Sequence, residues 1–217
     1  MVYICCLIIS FALACIAGRC ILNRNPNRNP DKKQILKLTE WDRNLMAFHE
    51  AGHAVCSFYL PEREPLVKIT IDPSSDAFGM IKTETRPHHN ETQISLTSAI
   101  STYLAGRIAE ELFCNEITTS CIHDLNAAQT IASEMVIQFG MGRKTKFAIL
   151  PNDSQPIGRQ TDQIMEDIQS ILQDAEKTVR TILTEHSEEV IALAHILLSK
   201  NTLDTSEIDD FFRQSRG

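Results

Sequence analysis

The sequence predicts a mainly helical α+β domain that contains a small β-hairpin or sheet and follows one N-terminal transmembrane helix. Three observations predict this fold class. Six segments after residue 38 have helical patterns of apolar residues. A β-branched run near residue 70 alternates between apolar and polar side chains, which is typical of a strand. Residues 2–18 form an uncharged apolar run, about 25 Å long as a helix, which is at the short limit for crossing a membrane.

The composition is that of a globular chain. Its 217 residues are 43% hydrophobic and 23% charged, which excludes disorder throughout. The net charge of −7 argues against nucleic acid as the main partner, because phosphate contacts need a basic face. Three of the seven cysteines, Cys56, Cys114 and Cys121, lie beyond the N-terminal segment, and this number and spacing indicate free thiols in a reducing compartment.

The N-terminal region differs from the rest of the chain. We interpret residues 1–22 as an uncleaved membrane anchor, because no Lys or Arg precedes the apolar run as it would in a signal peptide. A cleaved signal remains the alternative. Residues 23–37 contain a tandem Asn-Arg-Asn-Pro repeat and form a basic linker. Since the positive charges follow the apolar run, the remaining chain is expected on the cytoplasmic side.

The first structural elements after the linker are a helix and two strands. Thr39 is a capping residue for a helix that runs to about Tyr59 and stops at Pro61. Residues 66–71 alternate as a strand. Residues 72–77 are expected to turn into a second strand at 78–85.

The remaining elements are predicted helices and loops. Residues 90–113 repeat apolar side chains at spacings of three and four, as a helix does. Glycine and proline make residues 140–158 a long loop. The other predicted elements are a loop at 118–122, helices at 125–139, 159–185 and 187–200, and a short helix from Thr205.

Residues 49–53 read His-Glu-Ala-Gly-His, an HExxH motif on the first of these helices. His49 and His53 share one helical face, so both imidazoles can reach one metal ion. Glu50 is then placed to take a proton from a metal-bound water. Gly52 costs helix stability, which suggests close packing or access for an ion.

A catalytic zinc site needs a third protein ligand and one open position. Neither the glutamate extension nor the histidine extension of other HExxH families follows His53 in register. The ligand therefore comes from elsewhere in the chain. The candidates are Asp124, Glu110, Glu111, His88, His89 and His123.

Four motifs in order resemble the peptidase domain of the FtsH-type membrane-bound zinc metallopeptidases. They lie at residues 48–54, 65–71, 105–112 and 118–125, and the similarity extends from about residue 38 to 212. We accordingly assign residues 38–217 to a peptidase domain of this type.

The resemblance implies roles for particular residues. His49, His53 and Asp124 would be ligands of one Zn²⁺, Glu50 the general base, and Glu110 a residue that orients a ligand. The strand at Phe78, Gly79 and Met80 would bind a peptide substrate at its edge. Cys121 is expected to be a packed thiol, His186 and His195 to be structural, and His88 and His89 to be an exposed loop pair.

The sequence departs from the family pattern in two places. Family members usually carry an ATPase module before the peptidase, and no GxxxxGK[ST] motif occurs in these 217 residues, so no nucleotide site is expected. The segment before Asp124 usually reads Gly-Ala-Ser-Asn, but here it reads Ser-Cys-Ile-His. Because small residues are replaced here, the shape of the chain beside the third ligand does not follow from the resemblance.

The predicted function is that of a membrane-anchored zinc metalloendopeptidase that cleaves unfolded or flexible proteins without its own ATPase. The alternative is an inactive or regulatory subunit that assembles with ATPase-bearing family members. By resemblance, the expected partners are protein substrates, the membrane, and either further copies in a hexamer or an ATPase-bearing relative.

Overall fold

The computed structural model describes residues 38–62, 65–72, 80–83, 90–146 and 159–215, with only the backbone described at 80–83 and 159. These residues belong to one compact unit, Lys37–Gly217. Within these ranges no helix combines the length and the apolar character needed to cross a membrane. The predicted anchor and linker at residues 1–37 lie outside the described residues.

The first helix, α1 (Glu40–Tyr59), begins and ends as the sequence predicts. Thr39 is its N-cap and forms a capping box with Asp42, in which the Thr39 Oγ1 accepts from the Asp42 backbone N–H at 3.1 Å. This arrangement satisfies backbone donors that the first helical turn leaves without partners. Pro61 follows the end of α1 and cannot continue the helix.

A three-stranded antiparallel sheet follows α1 in the fold, with the strand order β2-β1-β3. Its strands are β1 (Leu66–Thr70), β2 (Met80–Thr83) and β3 (Thr202–Asp204). Ile69 of β1 pairs with Ile81 on one side and with Leu203 on the other. The sequence predicts the first two strands but not β3, because three residues are too few to show an alternating pattern.

The single helix predicted at residues 90–113 is two elements. An α-helix, α2 (Gln93–Ala109), begins at the N-cap Thr92 and continues into a π-helical segment, Glu110–Cys114. The π-segment ends at Asn115, which adopts a left-handed conformation with φ 53°. The wider turn inserts a residue into the helical repeat, and such segments occur frequently at functional sites.

Four further helices complete the fold. They are α3 (Ile122–Ile137), α4 (Arg159–Glu185), α5 (Ser187–Lys200) and α6 (Thr205–Gln214). Helix α3 begins at Ile122, three residues before the predicted start at 125. The buried apolar pattern does not predict this earlier start, because the Ile122 side chain is exposed. The mainly helical architecture with a small sheet is confirmed.

Helices α1 and α2 pack against each other at the centre of the fold. Helix α5 covers α1, while α3 and α4 cover α2. Burial of their apolar faces supplies the main stabilising free energy. The fully buried side chains at these contacts include Ala51, Val55, Ile100, Ile108, Met135, Val179, Leu193 and Leu197.

A buried carboxylate on α4 holds the loop that follows α3. Asp167 is 2% exposed and accepts hydrogen bonds from the backbone N–H groups of Lys144 and Thr145 and from the Thr145 hydroxyl, the last at 2.7 Å. Burial opposes the charge of Asp167, but these hydrogen bonds outweigh it and lower its pKa. The carboxylate therefore stays ionised and fastens the loop to α4.

Replacing Asp167 by alanine is expected to lower the free energy of unfolding by about 3 kcal/mol, because buried backbone donors lose a charged acceptor. Urea denaturation of the two proteins measures this difference. Asp174→Ala on the same helix is the control, since its 59% exposed side chain pairs only with Arg143 among described residues and is worth less than about 1 kcal/mol. Equal losses in both variants would contradict the role given to Asp167.

Candidate metal centre

Helix α1 brings the two histidines of the HExxH motif together. His49 and His53 are each 8% exposed, and their Nε2 atoms lie 3.0 Å apart. The two rings meet edge to face, with centroids 4.6 Å apart. This arrangement follows from the spacing of four residues, which places both side chains on one face of a helix.

Asp124, in the first turn of α3, lies against this pair. Its Oδ2 is 3.3 Å from the His49 Nε2 and 3.5 Å from the His53 Nε2. One ligand atom from each of the three residues lies within 4.8 Å of the other two. The Asp124 side chain is 24% exposed, so the cluster opens toward solvent on this side.

The second nitrogen of each imidazole is also bonded. His49 Nδ1 lies 2.7 Å from Glu110 Oε1, and His53 Nδ1 lies 2.7 Å from the backbone carbonyl oxygen of Thr102. Carbonyl and carboxylate oxygens are acceptors, so each Nδ1 carries the hydrogen and donates it. Each Nε2 therefore faces the cluster, where its lone pair can bind a metal ion once no proton occupies it.

The electrostatics of the cluster favour a positive charge at its centre. Burial alone would lower the pKa of His49, but hydrogen bonds to Asp124 and Glu110 raise it to about 10. Burial also opposes the charge on Asp124, yet its bonds to His49 and His53 hold its pKa well below the ordinary value. Two imidazole nitrogens and one carboxylate oxygen are a donor set that zinc uses in proteins, so these residues fit that ion.

Glu50 is buried beside the cluster and is not one of the three grouped ligand residues. Burial raises the pKa of its carboxyl group, and electrostatic interactions with His53 and His49 oppose that rise only in part. A carboxyl group with a raised pKa is a better proton acceptor than an ordinary glutamate near neutral pH.

Two glycines allow the helices to approach at this site. A Cβ on Gly106 of α2 would lie 2.4 Å from the His53 Nε2 and 2.6 Å from the His49 Nε2. A Cβ on Gly52 of α1 would lie 2.4 Å from the Cβ of Ala109. Close packing is therefore the reason for Gly52. Gly106 has no predicted role, although a glycine inside a helical pattern is a signal of close packing or function.

The other third-ligand candidates lie in different surroundings. Glu110 contacts the far side of His49 rather than the Nε2 atoms. Glu111 pairs with Arg180 of α4 at 2.8 Å. His123 is exposed. His88 and His89 lie outside the described residues.

The remaining predicted residues are not among the grouped ligands, and some lie outside the described residues. The Cys121 thiol is buried and donates to the Thr118 carbonyl at 3.1 Å, as expected of a packed thiol. His186 stacks on Tyr59, and His195 is exposed. For the predicted substrate edge, only the backbone of Met80 in β2 is described, and Phe78 and Gly79 lie outside the described residues.

The fold and the donor group define the class of protein. A mainly helical domain with a buried HExxH helix, and a carboxylate brought to it from a second helix, is a metallopeptidase domain. The chain belongs to peptidase family M41, whose family model matches residues 36–211. This match confirms the family that the four sequence motifs indicate.

Comparison with curated proteins gives the same family. The chain is 32% identical to the "ATP-dependent zinc metalloprotease FtsH" of Marinobacter nauticus, over 83% of this chain and 31% of that protein. It is 31% identical to the human "ATP-dependent zinc metalloprotease YME1L1", over 82% of this chain and 23% of that protein. The chain thus spans less than a third of the length of these relatives.

Proposed function

We propose that this protein is a zinc metalloendopeptidase that hydrolyses peptide bonds in unfolded or flexible proteins. This proposal rests on the cluster of His49, His53 and Asp124, whose ligand atoms lie within 4.8 Å of one another. Relatives named zinc metalloproteases support Zn²⁺ as the ion. In this proposal the three residues are its ligands, and the position left open toward solvent admits water and substrate.

Zinc bound there would polarise the peptide carbonyl and lower the pKa of a water molecule toward about 7. Glu50 would accept the proton of the attacking water and later deliver it to the leaving amine. Glu110 and the Thr102 carbonyl would keep the His49 and His53 rings in their ligating orientation through the 2.7 Å contacts at Nδ1.

We further propose that residues 1–22 anchor the chain in a membrane, with residues 38–217 on the cytoplasmic side. The uncharged run at 2–18 and the positive charges that follow it support this topology. Peptide binding at the strand edge near Phe78, Gly79 and Met80, and assembly into a hexamer, also remain proposals.

The proposed hydrolysis does not need ATP. The curated relatives are named ATP-dependent, whereas these 217 residues contain no GxxxxGK[ST] motif. A second candidate function follows from the same observation, namely a subunit that acts only with an ATPase-bearing relative. The two functions differ in whether this chain alone cleaves an unfolded substrate.

Glu50→Gln is expected to reduce casein cleavage by the 217-residue chain by about 100- to 10,000-fold in kcat, because the variant lacks the proton acceptor. Bound zinc is expected to stay at the wild-type level, since Glu50 is not among the three ligands. Cleavage without ATP and zinc content by mass spectrometry are the two measurements.

Glu111→Gln is the matched control, because this glutamate pairs with Arg180 rather than facing the cluster. It should retain both zinc and activity. Wild-type protein that binds zinc but does not cleave casein would favour the second candidate function. Wild-type protein that binds no zinc would overturn the proposed function.

A further inference from the structure

The Glu110 carboxylate beside the cluster is held by more than His49. Glu110 is fully buried, at 0% exposed. Its Oε1 lies 2.7 Å from both the His49 Nδ1 and the Ser120 hydroxyl. Its Oε2 accepts from the Thr118 backbone N–H at 3.2 Å and from the Thr118 hydroxyl at 3.0 Å. Both oxygens of the Glu110 carboxylate therefore have hydrogen-bond partners, as a buried carboxylate requires.

The two adjacent glutamates of the π-helical segment, Glu110 and Glu111, have different partners. Glu111 turns toward α4 and pairs with Arg180 at 2.8 Å. Glu110 turns inward, and its backbone carbonyl accepts from the N–H of Glu116 as the chain leaves the segment. The chain then folds back so that Thr118 and Ser120 reach the Glu110 side chain.

The loop that holds Glu110 is also the loop that leads to Asp124. Ser120 precedes Asp124 by four residues in sequence. The loop has internal bonds, since the Ser120 backbone N–H donates to the Thr118 hydroxyl at 3.2 Å. Contacts at Ser120 therefore connect the orientation of His49 with the place where α3 begins.

We propose that Ser120, together with Thr118, is a positioning residue of the metal centre. The Ser120 hydroxyl holds Glu110 Oε1 where it accepts the hydrogen of His49 Nδ1, and it joins that pair to the loop that places Asp124. This inference rests on the proposed function, because it concerns residues that would hold zinc. It assigns to Ser120 no contact with the ion or the substrate.

Loss of the hydroxyl has a defined physical consequence. The terminal torsion of a glutamate is broad and roughly two-fold, so it needs neighbouring donors to set its orientation. Without Ser120, the Oε1 oxygen keeps His49 as its single described partner. The imidazole then samples more orientations, and outer partners of this kind are typically worth 10- to 100-fold in metal affinity.

The test compares three variants of the 217-residue chain. Ser120→Ala removes the hydroxyl, and Ser120→Thr retains it. Thr119→Ala removes a hydroxyl from the adjacent exposed residue, which forms no side-chain hydrogen bond within the part of the chain that the structure describes. Because Ser120 is itself exposed, none of these changes is expected to unfold the protein.

Zinc affinity is measured by competition with a chromophoric chelator, and ligand geometry by the visible absorption spectrum of the Co²⁺-substituted protein. Ser120→Ala is expected to bind zinc about 10-fold more weakly, to change the Co²⁺ bands, and to lower kcat with KM unchanged. Ser120→Thr and Thr119→Ala are expected to resemble the wild type in all three measurements.

Wild-type affinity and Co²⁺ spectra in Ser120→Ala would overturn the inference, and so would an equal loss in Thr119→Ala. Failure of the proposed function gives a different result, because the wild-type chain itself would then bind no zinc. The two failures are therefore distinguished by the wild-type measurement.

Discussion

Gly106→Ala is expected to weaken zinc binding at least about 100-fold and to abolish peptidase activity while the protein stays folded. The new Cβ would lie 2.4 Å from the His53 Nε2 and 2.6 Å from the His49 Nε2, distances that real Cβ atoms do not adopt. The imidazoles must therefore move, and they cannot do so while keeping both Nε2 atoms directed at Asp124.

The fold is expected to tolerate this change. The atoms that clash are the far ends of two side chains, so the helical backbones can stay in place. Alanine is also favoured over glycine inside a helix by up to about 1 kcal/mol. The variant should therefore still unfold cooperatively in urea with a chelator present, at a free energy lowered only by the lost contacts between Asp124 and the two histidines.

Gly52→Ala provides the opposite control. Its Cβ would meet the Ala109 Cβ at 2.4 Å and the Ala105 backbone oxygen at 2.9 Å, so helices α1 and α2 must separate. Overpacking of this kind costs about 1 to 3 kcal/mol of stability. Wild-type zinc affinity in Gly106→Ala would contradict the packing described here.

Zinc affinity is expected to rise about tenfold for each pH unit between pH 7 and pH 9. Hydrogen bonds to Asp124 and Glu110 outweigh burial and raise the pKa of His49 to about 10, so at neutral pH its Nε2 holds a proton. Zinc has to displace that proton, and one proton released per ion gives a slope of one decade per pH unit. Isothermal titration calorimetry across this range measures the slope.

Stability without metal is expected to change with pH in the opposite direction. A pKa raised from 6.5 to about 10 means that the folded protein binds a proton that the unfolded chain releases. The stabilisation is complete below pH 6.5 and is lost as the pH rises through about 10. The raised pKa of Glu50 acts in the same direction.

Thermal denaturation separates these two effects. With a chelator, the Tm should fall between pH 7 and pH 10, whereas at a fixed total zinc concentration the bound ion should oppose that fall. Gly106→Ala is the control, and its Tm should be the same with and without zinc at each pH. A zinc affinity that is constant from pH 7 to pH 9 would contradict the protonation assigned to His49.

The features that the sequence predicts are those whose structure is set by residues close together in the chain. His49 and His53 share a helical face because backbone hydrogen bonds set the helical repeat, whatever surrounds it. The limits of α1 follow from Thr39 and Pro61 in the same way. The small sheet was predicted from the alternating run at residues 66–71, which shows its period within one strand.

The identity of the third candidate ligand depends on tertiary structure. Asp124, Glu110 and Glu111 are all carboxylates near the ends of predicted helices, and their patterns do not separate them. Packing of α2 against α1, and of α3 against α2, separates them. Asp124 lies against the Nε2 atoms, Glu110 against the His49 Nδ1, and Glu111 against Arg180. At the level of sequence, family resemblance rather than residue spacing favours Asp124 as the ligand.

The sequence by itself determined the HExxH helix, the helical class and the family, since each depends on local periodicity or on motifs read in order. Tertiary structure alone decided the strand at Thr202–Asp204, the need for glycine at Gly106, and the contact of Ser120 with Glu110. The physical reason is that these features arise where distant segments meet, and contact between distant segments depends on the packing of the whole domain rather than on the local backbone.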